Sequence, residues 1–216
     1  MLKNDYMKEV ENSLRILKMD VDKSLADKDI ELAKTLINKQ FRALIGLDID
    51  TISTLSFNTI KNMLSKENQY NAEKFIALGE LLKLEGIVSE KENDIALKVF
   101  YYKKVIEAFN EGYEEDNSID KKFLTESIDV IEDLKLYDIG IKYEKYIFRI
   151  YELLGKFDKA EDMLFQIIDE SNKDKSIISE GIAFYNRLKE LSNKDLEDGN
   201  LSLEEVRESY NELKRL

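Results

Sequence analysis

The chain has 216 residues, 33 Lys and Arg against 45 Asp and Glu, a formal charge of −12, and no His, Cys, Pro or Trp. Zero Cys removes disulfides, thiolate metal sites and Cys nucleophiles. Zero His removes the commonest general base and transition-metal ligand, so Ser-His-Asp triads, zinc hydrolases and Glu-x-x-His di-iron bundles are excluded.

Periodicity predicts helices along the whole chain. Met7, Val10, Leu14, Leu17 and Val21 step by 3, 4, 3 and 4, one stripe of a helix running from about Asn4, its N-cap, to Ala26. Asp29 caps a second helix, in which Ala33, Leu36, Ile37, Phe41 and Leu44 share a face and which Gly46 ends. The short link Asp27-Lys28-Asp29 folds these two into an antiparallel hairpin. Leu47 to Thr54 reads as a turn-rich joint, Ser56 as the cap of a short helix reaching about Ser65, and 66–71 as a polar loop. A fourth helix carries Phe75, Leu78, Leu82 and Leu84 or Glu85 and ends near Val88. A fifth, from about Asn93, carries Ile95, Ala96, Val99, Phe100, Lys103, Ile106 and Phe109.

Gly112 to Ser118 is the most loop-like stretch, a soft boundary in what otherwise reads as a single hairpin-repeat domain over 1–216. A sixth helix, capped by Ser118, packs through Phe123, Leu124, Ile128, Ile131 and Leu134. A seventh runs from about Asp138 to Leu154, an eighth from Phe157 to about Glu170, and a ninth from about Lys175 to Leu191 with Ile178, Ile182, Tyr185 and Leu188 inward. The last opens at Ser202-Leu-Glu-Glu205, a capping box. No alternating strand pattern stands beside these, and the absence of Pro, where average usage gives ~10, suits long helices. The expected fold is all-α, with nine or ten helices stacked as antiparallel hairpins in a short right-handed superhelix.

Three joints look alike, each placing an Ala early in the following helix: Lys28-Asp-Ile-Glu-Leu-Ala33, Glu92-Asn-Asp-Ile-Ala96 and Gly155-Lys-Phe-Asp-Lys-Ala160. The alanines lie 63 and 64 residues apart, which suggests a repeated unit that buries its apolar face by stacking on neighbours. Tyr151 to Ile167 resembles the turn and second helix of a tetratricopeptide repeat, with Gly155, Phe157, Ala160, Leu164 and Ile167 at the family's positions; the other joints match only at Ala33 and Ala96. The resemblance implies an α-hairpin solenoid and protein or peptide binding. With its Leu-Leu and Gly-Leu-Asp signposts the chain also resembles an uncharacterised bacterial family of helical proteins.

Motifs for chemistry are scarce. The closest glycines, Gly79 and Gly86, are seven apart, so no dinucleotide or phosphate loop can be written. Asp195 to Gly199 resembles the start of a calcium loop, but aligning Gly199 puts Lys194 and Leu196 where carboxylates are needed, and the segment reads as a turn. Ser118-x-x-Lys121 has the spacing of an acyl-enzyme pair without its companion motifs and reads as a cap. The identical tetrapeptides Ser171-Asn-Lys-Asp174 and Ser192-Asn-Lys-Asp195 read as turns. No helix offers two inward acids one turn apart, so neither a metal nor a cofactor is expected.

The candidate binding residues lie on the seventh helix. Its apolar face takes Ile139, Tyr143, Ile147, Ile150 and Leu154, while Lys142, Lys145 and Arg149, with Tyr146, form a basic and aromatic stripe. On the inner wall of a stack of hairpins this stripe would hold an acidic peptide or carboxylate. The plainer reading is a solvated face pairing with Glu144 and Glu152. The N-terminal stripe would pack against a second copy, giving a homodimer, unless helix two covers it.

The acidic balance argues against nucleic acid and anionic membrane as partners. No apolar run approaches the ~18 residues of a membrane span, and the start of the chain lacks a signal-peptide core, so a cytoplasmic location is expected. The expected function is a non-catalytic scaffold binding a protein or peptide segment. The alternatives are a structural homo-oligomer and an enzyme of unrecognised type acting on a phosphorylated small molecule.

Overall fold

The hydrophobic periodicity is realised as thirteen helices, with no strand, among the described residues. The structure is a computed structural model that describes residues 3–65 and 71–216, with side chains from Tyr6 onward. The capping role read for the Asn4 side chain and the loop read at 66–70 lie outside the described residues. The chain divides into two compact units, Met1–Tyr137 and Asp138–Leu216.

In the N-terminal unit, α1 (Lys3–Ala26) buries Val10, Leu14, Leu17 and Val21. It packs on α2 (Ile30–Leu44) and α5 (Asn71–Lys91), so the stripe considered for a second copy is covered within the chain. The Asp29 carboxylate accepts the Leu32 N–H at 3.0 Å, and Gly46 leaves α2 with φ 79°. Leu47 to Thr54 is not a turn-rich joint. Asp48 Oδ1 accepts both the N–H and the hydroxyl of Thr51 and starts α3 (Ile49–Thr54). Ser56 caps α4 (Phe57–Leu64) as expected.

The core of this unit is the hairpin of α5 with α6 (Ile95–Glu115). Because α1, α2 and α6 all pack on α5, it is buried on almost every side, charged residues included, and shows no single apolar stripe. The expected face of α6 holds at Ile106 and Phe109, which are buried, but not in the first half of the helix: Ile95 and Ala96 are exposed, whereas Lys98, Tyr101, Tyr102, Lys104 and Val105 are buried. Gly112, read as loop, is helical; a Cβ there would stand 3.0 Å from Ile76 and 3.2 Å from the Ala72 carbonyl of α5. Lacking one, α6 stays on α5 through Glu115, and the division between units falls after Tyr137 rather than at 112–118.

The expected sixth helix is two pieces, α7 (Lys122–Thr125) and α8 (Ile128–Leu134). Ser118 caps neither; its N–H and hydroxyl both donate to Asp116 Oδ1.

The C-terminal unit holds α9 (Ile141–Leu153), α10 (Phe157–Glu170), α11 (Lys175–Lys189), α12 (Asn193–Asp198) and α13 (Leu203–Leu213). Helix α9 pairs with α10 and α11 with α13, and Phe148 meets Phe184 edge to face at 5.2 Å. The capping box at Ser202 and Glu205 is present. The two Ser-Asn-Lys-Asp segments differ. Asn172 and Lys173 turn with positive φ, whereas Ser192 caps α12, so Asp195 to Asp198 is helix rather than turn.

Three hairpins share one turn. Lys28, Asn93 and Gly155 take φ of 61°, 61° and 67°, and the next residue's N–H reaches back to the carbonyls of Ser24, Ser89 and Tyr151 at 2.8–2.9 Å. This is the 6→1 bond of a Schellman ending. Aligned on that turn, the residue level with buried Ala33 and Ala160 is Lys98, not Ala96. The spacing of 63 and 64 was therefore a misphased signal of a turn that does recur.

Candidate functional site

On α9, Lys142 and Arg149 are exposed, and Tyr143, Lys145 and Tyr146 are half-buried. The Lys142 ammonium lies 4.9 Å from the Tyr143 ring centre and 5.9 Å from that of Tyr146, and the two rings are 6.4 Å apart. Lys145 is drawn away to Glu180 of α11 at 2.6 Å. The stripe is thus split: Lys142 joins the tyrosines and Lys145 joins α11.

The acids expected to neutralise the stripe are engaged elsewhere. Glu152 takes a two-pronged bond from Arg187 at 2.7 and 2.9 Å. Glu144 is buried; its Oε1 accepts from Gln166 at 3.0 Å and its Oε2 has no hydrogen-bond partner. Burial first, then the neighbouring Glu170, push its carboxyl up to about 7.

A second candidate lies in the N-terminal unit, where the sequence reading named no ligand-binding residues. An open groove of about 900 Å³ runs between α1 and α7–α8 above α5. Its floor is apolar, from Leu14, Leu84, Ile87, Tyr102, Phe123 and Val130. The α1 wall carries Lys8, Arg15 and Lys18, all exposed. The opposite wall carries Glu126 and Asp129, exposed, and Asp133.

Connectivity sets the direction of the walls. The three-residue turn makes α1 antiparallel to α2, and Lys34 near the start of α2 pairs with Glu92 just past the end of α5 at 2.5 Å. Hence α1 and α5 run alike. At one end of the groove, Lys122 at the start of α7 reaches Glu11 of α1 at 2.8 Å. At the other, Lys98 of α6 binds Asp133 of α8 at 2.6 Å and Glu90 of α5 at 3.1 Å, with Tyr102 and Tyr137 rings beside its ammonium.

The first bond joins the two walls to each other, and the second ties the acidic wall to α5 and α6. Burial works against the Lys98 charge, but hydrogen bonds to Asp133 and Glu90 outweigh it and hold the proton more tightly than in a free lysine. Within the floor, Lys83 donates to Glu80 at 2.9 Å and to the Ser127 hydroxyl at 3.2 Å, and Ser127 donates on to the Phe123 carbonyl at 2.8 Å. A signal for the walls was present in the sequence: Lys8, Arg15 and Lys18 are a mainly basic stripe at helical spacing interrupted by Glu11, and Glu126, Asp129 and Asp133 a mainly acidic one preceded by Lys122, and the two interrupting residues pair with each other.

The reading that no helix turns two neighbouring acids inward is corrected by Glu107 and Glu111 of α6, one turn apart and both buried; Glu111 pairs with Lys61 at 2.5 Å. Glu85 is buried as well, with its Oε1 unpartnered, and burial pushes its carboxyl up to about 7. Among the described residues no three acids stand close enough to hold a metal ion, and no helix is long and apolar enough to cross a membrane.

No curated protein and no solved structure matches the chain. A family model matches residues 1–216, and the chain thus belongs, over its whole length, to DUF6483, a family of unknown function.

Proposed function

We propose that this protein is a non-catalytic cytoplasmic scaffold that holds a segment of a partner protein, built from helical hairpins in the manner of tetratricopeptide repeats. The observation that carries the reading is the groove of the N-terminal unit: a largely apolar floor between walls of opposite net charge, with the acidic wall held to α6 by the pair of Lys98 and Asp133 and the two walls joined at one end by Lys122 and Glu11. Such a trough offers area for burial and charge for register, the two things a docked peptide needs. Ile87, half-buried in the floor, is the place to block it. Ile87→Arg should leave helical content unchanged and release the proteins that the wild-type chain retains from native lysate. The same set retained by both would reject the groove.

A second surface is favoured by Lys142 standing over Tyr143 and Tyr146. With Lys145 and Arg149, this stripe suits an acidic side chain or a C-terminal carboxylate. Lys142→Glu combined with Arg149→Glu should abolish capture of an acidic partner at unchanged helicity; undiminished capture removes the site.

A further inference from the structure

We infer that the groove of the N-terminal unit takes an amphipathic helix with one acidic and one basic edge, and that its walls set the direction in which that helix lies. This rests on the groove being a partner site.

The shape argues for a helix. Helices α1, α5 and α7–α8 run in one direction and leave a trough where a further helix of the same bundle would lie. A helix ~10 Å across with a 5.4 Å pitch occupies roughly 400 Å³ per turn, so 900 Å³ accommodates about two turns. A peptide that binds by adding a strand needs a free sheet edge, and the described residues contain no strand; the bundle geometry favours a helix.

The walls argue for the charge pattern. Lys8, Arg15 and Lys18 span about 15 Å of α1, and Glu126 to Asp133 about 10 Å of the facing wall. The edges of an inserted helix present side chains at the same spacing of 3 and 4, as the flanking positions of a coiled coil do. Acids on the edge along α1 and bases on the edge along α8 satisfy both walls. A wholly basic helix is attracted by the total charge of −12 but meets Lys8, Arg15 and Lys18 at contact distance. Since salt screens charges more than ~8 Å apart, the nearer wall decides. Turning the helix end for end exchanges the walls that its edges face, so the walls select direction.

Three fluorescent stapled helices of ~16 residues test this, sharing one apolar face and carrying one acidic and one basic edge, two basic edges, or two acidic edges. Titrated into the full chain at physiological salt, the mixed helix should bind roughly 10-fold tighter than either single-sign helix. In the Lys8→Glu, Arg15→Glu, Lys18→Glu variant, preference should move to the helix with two basic edges. In Glu126→Lys, Asp129→Lys it should move to the one with two acidic edges. All five substituted positions are exposed, four on helices and Glu126 in the turn between α7 and α8, so either variant can stand in for the other. Binding with equal affinities, or tightest binding of the basic helix by wild type, overturns the charge rule and leaves the groove reading intact. No binding of any helix removes both. A dimer that dissociates on adding peptide makes a second copy the occupant and also overturns the inference.

Discussion

The ring of Tyr102 on α6 lies against the backbone of Gly86 on α5, so closely that a Cβ at residue 86 would overlap the ring. Phe109 stands in the same relation to Gly79, where a Cβ would be 2.6 Å from the ring. Both pairs are equidistant in sequence from Asp94, the cap at the hairpin turn, so two bare patches on one helix receive two rings from the other in antiparallel register. Gly86→Ala should destabilise the protein by about 1–3 kcal/mol, because the methyl must displace a ring that is itself packed into the hairpin and only 6% exposed. Adding Tyr102→Leu should recover part of that loss, a coupling read from the midpoints of chemical denaturation. Strictly additive losses would show that the ring is not what the methyl meets.

Lys98 stands at the hairpin position that Ala33 and Ala160 occupy in the other two hairpins. Lys98→Ala would restore the small residue but strand Asp133 and Glu90. Removing one partner of a buried ion pair costs about 3–5 kcal/mol, and the lower end applies because Glu90 reaches water. Lys98→Ala should therefore lower stability and loosen α8, read as faster amide exchange over Ile128–Leu134. A variant as stable as wild type would show that the position asks only for volume.

Glu85 gives a pH test. Its ordinary carboxyl value of 4.5 is raised to about 7 by burial, with Lys34 opposing and Glu92 and Asp50 adding to the rise. The folded chain thus holds a proton that the unfolded chain gives up, so this group's contribution declines as pH climbs from about 4.5 to 7 and is level above that. Glu85→Gln removes the decline. The variant should gain on wild type across that window, by up to about 3 kcal/mol at pH 8, and differ little near pH 4.5. A difference that does not change with pH would sink this account.

Gly199 of the C-terminal unit sits under the α9–α10 turn. Its carbonyl accepts the N–H groups of Phe157 and Asp158 at 3.1 and 3.2 Å, and a Cβ there would lie 2.7 Å from the Gly155 carbonyl and closer still to the Phe157 ring. Gly199→Ala should destabilise by about 2–3 kcal/mol, since backbone cannot move aside as a flexible side chain can. Amide exchange should quicken first at the start of α10. Protection there equal to wild type would show that the turn tolerates the methyl.

Sequence alone determined what depends on residues within a turn of one another. The α1 stripe, the caps at Asp29, Ser56 and Ser202, the left-handed Gly46 and the span of α10 all follow from helical period and short-range bonds between side chain and backbone. Tertiary structure alone decided which faces of α5 and α6 count as inside. Helices α1, α2 and α6 close around α5 together, so Lys83, Glu85 and Lys98 enter the core beside Leu and Phe, and no hydrophobic count along one helix can mark them. The groove likewise depends on contacts far apart in sequence, such as the bond from Lys98 to Asp133 across 35 residues of chain and the burial of Val130, Ile131 and Leu134, which set α8 opposite α1, and a charge stripe becomes a wall only when another helix is set facing it.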